Sequence, residues 1–240
     1  MRRLLLALGL GAFALTACDV HPGPTQAIQG SGTARTETRK VQGFDRVALA
    51  GPGTLTIDQG SSEGLTITAD DNVLSNLRSD VSGGTLQLGP RPNTEIRAST
   101  IHYRLQAIRL DTISLDGAAG VEAGRLRADQ FDLRADGSGS VEVVGLQVSQ
   151  LKISIAGSSL VNMSGQATDQ TITMSGSGRY RADDLRSQRA SVQMTGSGLC
   201  TLRVSDRLDV SISGSGHVTY VGSPTVQTHV TGSGGVAQVG

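Results

Sequence analysis

Two aspartates, Asp116 and Asp136, have the spacing in this sequence that most suggests chemistry. Each directly precedes the first glycine of a recurring phrase, and the two positions are 20 residues apart. If successive phrases stack as parallel strands, the two carboxylates lie roughly 5 Å apart. Carboxylates at that separation suit the catalytic pair of a retaining glycosidase, or the oxygen ligands of a cation. The pair therefore supports a carbohydrate-active alternative for this chain.

The rest of the sequence argues against catalysis. A sugar-cleaving groove usually carries aromatic platforms, and aromatic residues make up only 2% of the chain, with no tryptophan. The sequence has no Gly-x-Ser-x-Gly elbow and no phosphate-binding Gly-Lys-Ser/Thr loop. Its histidines do not have the spacing of zinc ligands: His21, His102, His217 and His229. We therefore predict a protein that is not an enzyme, with no cofactor and no metal site.

Cys18 is the residue with the clearest chemical role. Met1-Arg2-Arg3 and an apolar run from Leu4 to Leu15 form the first two parts of a secretory signal. The following Leu15-Thr16-Ala17-Cys18 resembles the bacterial lipobox, in which the cysteine is acylated. We predict a lipoprotein signal peptide at 1–17 and lipidation of Cys18, which anchors the protein to the inner or outer membrane because acyl chains bury many methylenes.

Residues 18–42 comprise the lipidated cysteine and a segment that is rich in Pro, Gly, Thr, Gln and charge. We predict a flexible tether there, since the segment has few apolar side chains to bury. The only other cysteine, Cys200, is expected to be a small core residue and not a nucleophile. Basic and acidic residues balance at 21 each, so no basic surplus indicates a nucleic-acid partner.

The elements that would position these residues come from the recurring phrase, which fills 113–240. In each copy, apolar and polar residues alternate on both sides of a Gly-Ser-Gly or a close variant. Steps of 20, 20, 19, 20, 18 and 18 residues separate the first glycines: Gly117, Gly137, Gly157, Gly176, Gly196, Gly214 and Gly232. A period near 20 indicates a solenoid. The glycines are predicted to be structural corners, because glycine adopts φ values that a Cβ disfavours.

The apolar positions of the phrase predict which side chains face inward. They stand four and two residues before the first glycine, and four and six after it; in the fifth copy they are Val192, Met194, Cys200 and Leu202. We predict an all-β, right-handed, single-stranded parallel β-helix with coils of about 19 residues. A propeller is excluded because each blade needs about 40 residues.

The domain is predicted to span 43–240, with a less regular N-terminal part. That part has two short strands around Gly51-Pro52-Gly53, a period-2 strand at 64–69 and a helical turn at 73–77. A hairpin-like segment at 81–88 bends at Gly83-Gly84, and 90–100 is expected to be an exposed loop.

Three segments of this N-terminal part carry a family likeness. Gly43-Phe44-Asp45-Arg46-Val47, Gly51 to Ile57 and Leu65 to Asn72, followed by the Gly-Ser-Gly copies, resemble the putative auto-transporter adhesin, head GIN domain family. The resemblance covers about residues 42–222. It implies a β-helical exported domain, commonly found on bacterial lipoproteins, and it carries over no catalytic or binding residue.

Together these features predict a non-enzymatic, lipid-anchored cell-envelope protein whose β-helix is an adhesin or interaction surface. Its expected partners are the membrane, through Cys18, and a protein or polysaccharide of unknown identity. Alternatives are a carbohydrate-active β-helix that uses Asp116 and Asp136, or a structural lipoprotein of the periplasm. Because open strand edges at a solenoid end must be capped or paired, self-association through the C-terminal end is also expected.

Overall fold

The structure, a computed structural model, describes residues 26–97 and 100–239. It is almost entirely β, and its stacked parallel strands form a solenoid of about six turns, which confirms the predicted fold class. The predicted signal peptide at 1–17 and Cys18 lie outside the described residues. Within the described residues, no helix has the length and apolar character needed to cross a membrane.

The regular half of the coil is built from ten strands that pair in parallel. They are β10 (Thr112–Gly117), β11 (Gly120–Ala123), β12 (Arg127–Gly137), β13 (Ser140–Gly157), β14 (Leu160–Gly176), β15 (Arg179–Gly196), β16 (Leu199–Gly214), β17 (His217–Val221), β18 (Thr225–Thr231) and β19 (Gly235–Gln238). The longest strands run past one corner of the coil and onto the next side.

Each apolar position of the phrase forms a ladder inside the coil. Ile113, Leu133, Ile153, Ile172 and Val192 are paired in register on successive strands, and all are buried. Burial of about 25 cal/mol per Å² of apolar surface makes these ladders the main favourable contribution to folding. The alternation of the phrase thus places branched aliphatic side chains of this ladder inside and polar ones outside.

The first glycines of the phrase stack directly over one another. Gly137, Gly157, Gly176, Gly196 and Gly214 are paired in register and have positive φ. At Gly176 a Cβ would lie 2.5 Å from the carbonyl oxygen of Gly157, closer than real contacts allow. The corner therefore excludes a side chain both because of its φ and because the neighbouring coil is too near.

Each coil has a first side before the first glycine of the phrase, a second side after the Gly-Ser-Gly, and a third side formed by the variable segment that completes the turn. Differences in coil length occur on the third side. The register between neighbouring strands shifts between Val143 and Leu146, and again between Ala182 and Arg186. Such irregularities are β-bulges, which add or remove residues without disturbing the ladders on the other sides. The steps of 18 to 20 residues between corners are therefore compatible with one continuous stack.

The N-terminal half, over the described residues 26–97 and 100–107, contains nine strands and one short helix. They are β1 (Gln26–Gln29), β2 (Ala34–Arg39), β3 (Arg46–Ala50), β4 (Thr54–Gln59), β5 (Gly64–Asp70), α1 (Asp71–Leu74), β6 (Leu77–Ser82), β7 (Thr85–Pro90), β8 (Thr94–Arg97) and β9 (Ile101–Ala107).

This half is not wound in chain order. β3 lies between β7 and β10, and β4 lies between β9 and β11, all in parallel register. The chain therefore first forms an inner coil from β3 and β4. It then forms an outer coil from β7 and β9 against one face of the inner coil, and finally the regular coils, starting with β10 and β11, against the other face. Beyond the outer coil, β6 pairs antiparallel with β7, β5 with β9, and β2 with β5.

Three local expectations differ from the structure. Residues 26–42, assigned to the flexible tether, contain β1 and β2, because β2 finds a partner in β5 and β1 finds one in β8. The expected loop at 90–100 contains β8 for the same reason. The helical turn lies at Asp71–Leu74 and not at 73–77, with Val73 and Leu74 buried as expected.

Candidate interaction surface

The aspartates singled out in the sequence are neighbours in the fold. Asp116 on β10 is paired in register with Asp136 on β12, and both side chains are exposed. Ala50 and Ala156 occupy the same row on either side, so the acidic pair has no further acidic neighbour in its row. Neither aspartate lines either of the two lateral grooves described below. The arrangement is a pair of solvated carboxylates beside a corner.

The cysteine and the histidines have ordinary structural positions. Cys200 is buried, and burial raises the pKa of its thiol far above the usual range, so the thiolate is strongly disfavoured. His102, His217 and His229 are exposed on three different strands. Within residues 26–97 and 100–239, no group of three or more His, Cys, Asp or Glu side chains is arranged to hold a metal ion.

One lateral groove lies where the register shifts, on the third side of the coil. It has a volume of about 470 Å³ and crosses five successive coils. Its floor contains the buried side chains of Val148, Ala167 and Val204. Arg186 and Arg203 are paired in register on neighbouring strands and flank this floor, and none of the described residues that line the groove carries a carboxylate. We call these lining residues the arginine groove.

The two arginines of the groove have no acidic partner among the described residues. Arg203 donates from Nε to the carbonyl oxygen of Asp183 at 2.7 Å, and both Arg186 and Arg203 are exposed residues. By contrast, Arg189 forms a bidentate salt bridge with Asp169, in which Nε donates to Oδ1 at 2.6 Å and Nη2 donates to Oδ2 at 2.8 Å. Adjacent unpaired guanidinium groups over an apolar floor suit an acidic ligand with an apolar part.

A buried polar chain lies directly beneath the arginine groove. The hydroxyl of Tyr180 donates to Oε1 of Gln170 at 2.8 Å, and Nε2 of Gln170 donates to Oγ of Ser187 at 2.9 Å. Ser187 in turn donates to the carbonyl oxygen of Arg203 at 2.7 Å. Every member of the chain is thus satisfied, and it links the coil interior to the backbone of a groove arginine.

In the sequence, the signal for this buried polar chain is a polar residue at an inward position of the coil. Gln170 occupies the inward row filled by Leu151 and Ala190 in the neighbouring coils. Tyr180 fills a row that has Val161 on one side and Cys200 on the other, so a small neighbour accompanies the large ring. Burial raises the pKa of Tyr180 well above its usual range, because the phenolate would lose its hydration.

A second groove, of about 920 Å³, lies on the first side of the coil and is more polar. Asp111, Asp129, Asp132, Lys152 and Asp169 are among the residues that line it. Most of its charge is compensated locally: Arg109 pairs with Asp111 and Arg134 with Asp132. Exposed pairs of this kind contribute about 0–1 kcal/mol each. The groove is therefore polar but close to balanced in charge.

Solved structures show where else this fold occurs. A putative adhesin from Bacteroides fragilis is 24% identical, with a TM-score of 0.84 over 88% of this chain and 100% of that chain. A putative lipid binding protein from Parabacteroides distasonis is 22% identical, with a TM-score of 0.77 over 90% of this chain and 100% of that one. A putative adhesin from Parabacteroides merdae is 20% identical, with a TM-score of 0.70 over 90% and 100%. These likenesses establish a shared fold.

A search of curated proteins found no match. A comparison with protein families matches residues 43–224, which is most of the chain and includes both the irregular half and the repeats. The matched family is described as "Putative auto-transporter adhesin, head GIN domain", and this chain belongs to it.

Proposed function

We propose that this protein is a non-enzymatic, lipid-anchored component of the cell envelope whose coil is an adhesive surface. The observation that carries the proposal is the arginine groove. Arg186 and Arg203 lie side by side without an acidic partner in the described part of the chain, over a floor of Val148, Ala167 and Val204. A binding face of this type selects a ligand with acidic groups, such as an acidic polysaccharide or the acidic surface of a protein.

Family membership supports the same proposal from a second direction. Adhesion is the role that gives the family its name, and two of the structural neighbours are described as putative adhesins. The predicted lipidation of Cys18 would hold the domain at a membrane, with 18–25 as the link to the first described strand. A surface protein that binds by many weak contacts benefits from such anchoring, because neighbouring copies then act together.

The proposal is tested by comparing the adhesion of cells that carry four versions of the protein. Deletion of the protein and the anchor variant Cys18→Ala should both reduce adhesion strongly. The double variant Arg186→Glu/Arg203→Glu should reduce adhesion to an acidic polysaccharide at least tenfold, because two attractive charges become repulsive. Its matched control is Arg179→Glu/Arg181→Glu, which makes the same charge change at exposed positions on another side of the coil.

Equal adhesion with and without the protein would overturn the adhesive role. An equal loss in both double variants would show that general charge, and not the arginine groove, accounts for binding. The carbohydrate-active alternative is tested separately with a panel of polysaccharides. Turnover that is abolished in Asp136→Asn would favour it over the adhesive proposal, and the absence of turnover would leave Asp116 and Asp136 as surface residues.

A further inference from the structure

The two ends of the solenoid are built differently. At the N-terminal end, β5 and β6 lie antiparallel over the outer coil, and β2 follows β5. At the other end, β18 pairs only with β16 and β19 pairs only with β17 among the described strands. The outer edges of β18 and β19 therefore present backbone N–H and C=O groups that can pair with another strand.

The C-terminal edge lacks the features that usually prevent such pairing. Natural edge strands carry charged residues, proline or bulges. The edge strand at the opposite end, β2, carries Arg35, Glu37 and Arg39. By contrast, the whole stretch from Val210 to Gly240 contains no Asp, Glu, Lys or Arg, and neither β18 nor β19 contains proline. The C-terminal edge is uncharged over its full length.

The apolar interior is also incompletely covered at this end. Val230 is 39% exposed, whereas Ile212, its partner in the preceding coil, is 1% exposed. Val226 and Val236 are only partly buried, although Leu208 and Val218 in the preceding coil are buried. A partner that extends the stack by one more layer would remove this apolar surface from water, which favours association.

We propose that a second copy of this chain covers the C-terminal end, with β18 of each copy paired antiparallel across a two-fold axis. Such a contact pairs residue i of one copy with residue j of the other and j with i, so a charge near the middle of the edge would lie close to its own counterpart and face a like charge. An edge free of charged residues satisfies this requirement, and an unrelated partner would not impose it. The two coils would then join end to end, which is independent of the adhesive role proposed above.

The test uses His229, which is exposed on β18 and lies on the outward row that also contains Ser211 and Thr173. The full chain is purified in a mild non-ionic detergent, and its mass is measured by sedimentation velocity. The wild-type protein should sediment as a dimer. His229→Lys and His229→Glu should each halve the protein mass, because His229 lies next to Thr228 at the middle of β18 and like charges would then meet near the axis. An equimolar mixture of the two variants should restore the dimer.

Thr173→Lys is the matched control, since it places the same charge on the same outward row but three coils away from the edge. It should remain dimeric. A monomeric wild-type protein would overturn the proposal, as would a dimer that persists in every variant, which would indicate co-residence in one micelle or a contact elsewhere. A mixture of His229→Lys and His229→Glu that stays monomeric would also overturn it, because the two-fold contact requires the opposite charges to attract.

Discussion

The irregular and regular halves of this protein form the same kind of stacked parallel coil from different sequences. Both contribute parallel coils to one stack, and β3 pairs directly with β10 where the halves meet. Only the regular half repeats in sequence, with one phrase for each coil. The irregular half uses two coils whose strands are separated in the chain by the antiparallel elements β5 and β6. The stacked coil is therefore a property of the packing and does not depend on a repeated sequence.

Corner glycines show most directly what the two halves share. Gly89, in the irregular half, has a φ of 132°, and a Cβ there would lie 2.2 Å from the carbonyl oxygen of Ala50. Gly176, in the regular half, has a φ of 107°, and a Cβ there would lie 2.5 Å from the carbonyl oxygen of Gly157. Both glycines are needed because one coil passes directly over another. The Gly-Ser-Gly phrase is the repeated form of a requirement that the irregular half meets at Gly53 and Gly89.

Buried tyrosines show how the halves differ. Tyr180 bonds to Gln170, whereas the hydroxyl of Tyr103, in the irregular half, has no hydrogen-bond partner among the described residues. Burial raises the pKa of both side chains. The buried tyrosine hydroxyl of the regular half thus has a hydrogen-bond partner, whereas that of the irregular half has none among the described residues.

The largest expected effect comes from adding a methyl group at the corners. Gly89→Ala and Gly176→Ala should each lower the free energy of unfolding by about 2–4 kcal/mol, because a positive φ and a backbone clash act together. The measurement is urea unfolding followed by circular dichroism. Gly60→Ala and Gly124→Ala are the controls in the two halves, since a Cβ at either position meets no atom within 4 Å. If only Gly176→Ala were harmful, the two halves would not share a corner requirement.

Removal of the buried tyrosine hydroxyl should have different effects on stability in the two halves. Tyr180→Phe should lower the free energy of unfolding by about 1–3 kcal/mol, because it leaves Oε1 of Gln170 buried without its donor. Tyr103→Phe should change it by less than about 0.5 kcal/mol or raise it, since no bond is lost. Both values come from urea unfolding at neutral pH. Similar losses in the two variants would contradict the distinction between a satisfied and an unsatisfied tyrosine.

Alkaline pH should destabilise the protein through the same tyrosines. Since burial raises their pKa, the folded state holds each phenolic proton more tightly than the unfolded state does. The stabilisation is complete below the unfolded pKa of about 10 and is lost above it, by about 1.4 kcal/mol per pH unit for each tyrosine. Tyr103→Phe should therefore lose less stability than the wild-type protein between pH 10 and pH 11, measured by urea unfolding. Parallel losses would contradict a raised pKa for Tyr103.

The smallest effect concerns the acidic rows that begin the regular half. Asp116 faces Asp136, and Glu122 faces Glu142, in register on neighbouring strands. Asp136→Asn and Glu142→Gln should each raise the free energy of unfolding by about 0.2–0.5 kcal/mol at low salt, because like charges directly opposite are destabilising. The gain should shrink at high salt. A loss of stability in Asp136→Asn would indicate that the carboxylate makes a favourable contact.

The arginine groove was not predicted, for a reason that lies in its geometry. Arg186 and Arg203 are 17 residues apart in the chain, whereas the nearby corners Gly176 and Gly196 are 20 apart. Their pairing depends on the bulge between Ala182 and Arg186, and a bulge in one strand cannot be read from the repeat period. By contrast, the adjacency of Asp116 and Asp136 was predictable, because both lie at the same position relative to a corner.

The sequence by itself determined the regular coils of this protein. Each copy of the phrase carries its own alternation and its own corner, so the pattern is local and each copy specifies its inward residues. Only the tertiary structure decided how the first half is wound, that β1 and β2 are strands, and that Gln170 can be buried. Those features depend on partners far away in the chain: β8 for β1, β5 for β2, and Tyr180 with Ser187 for Gln170. A local pattern cannot identify such partners, because backbone pairing and polar satisfaction are settled only when the coils stack.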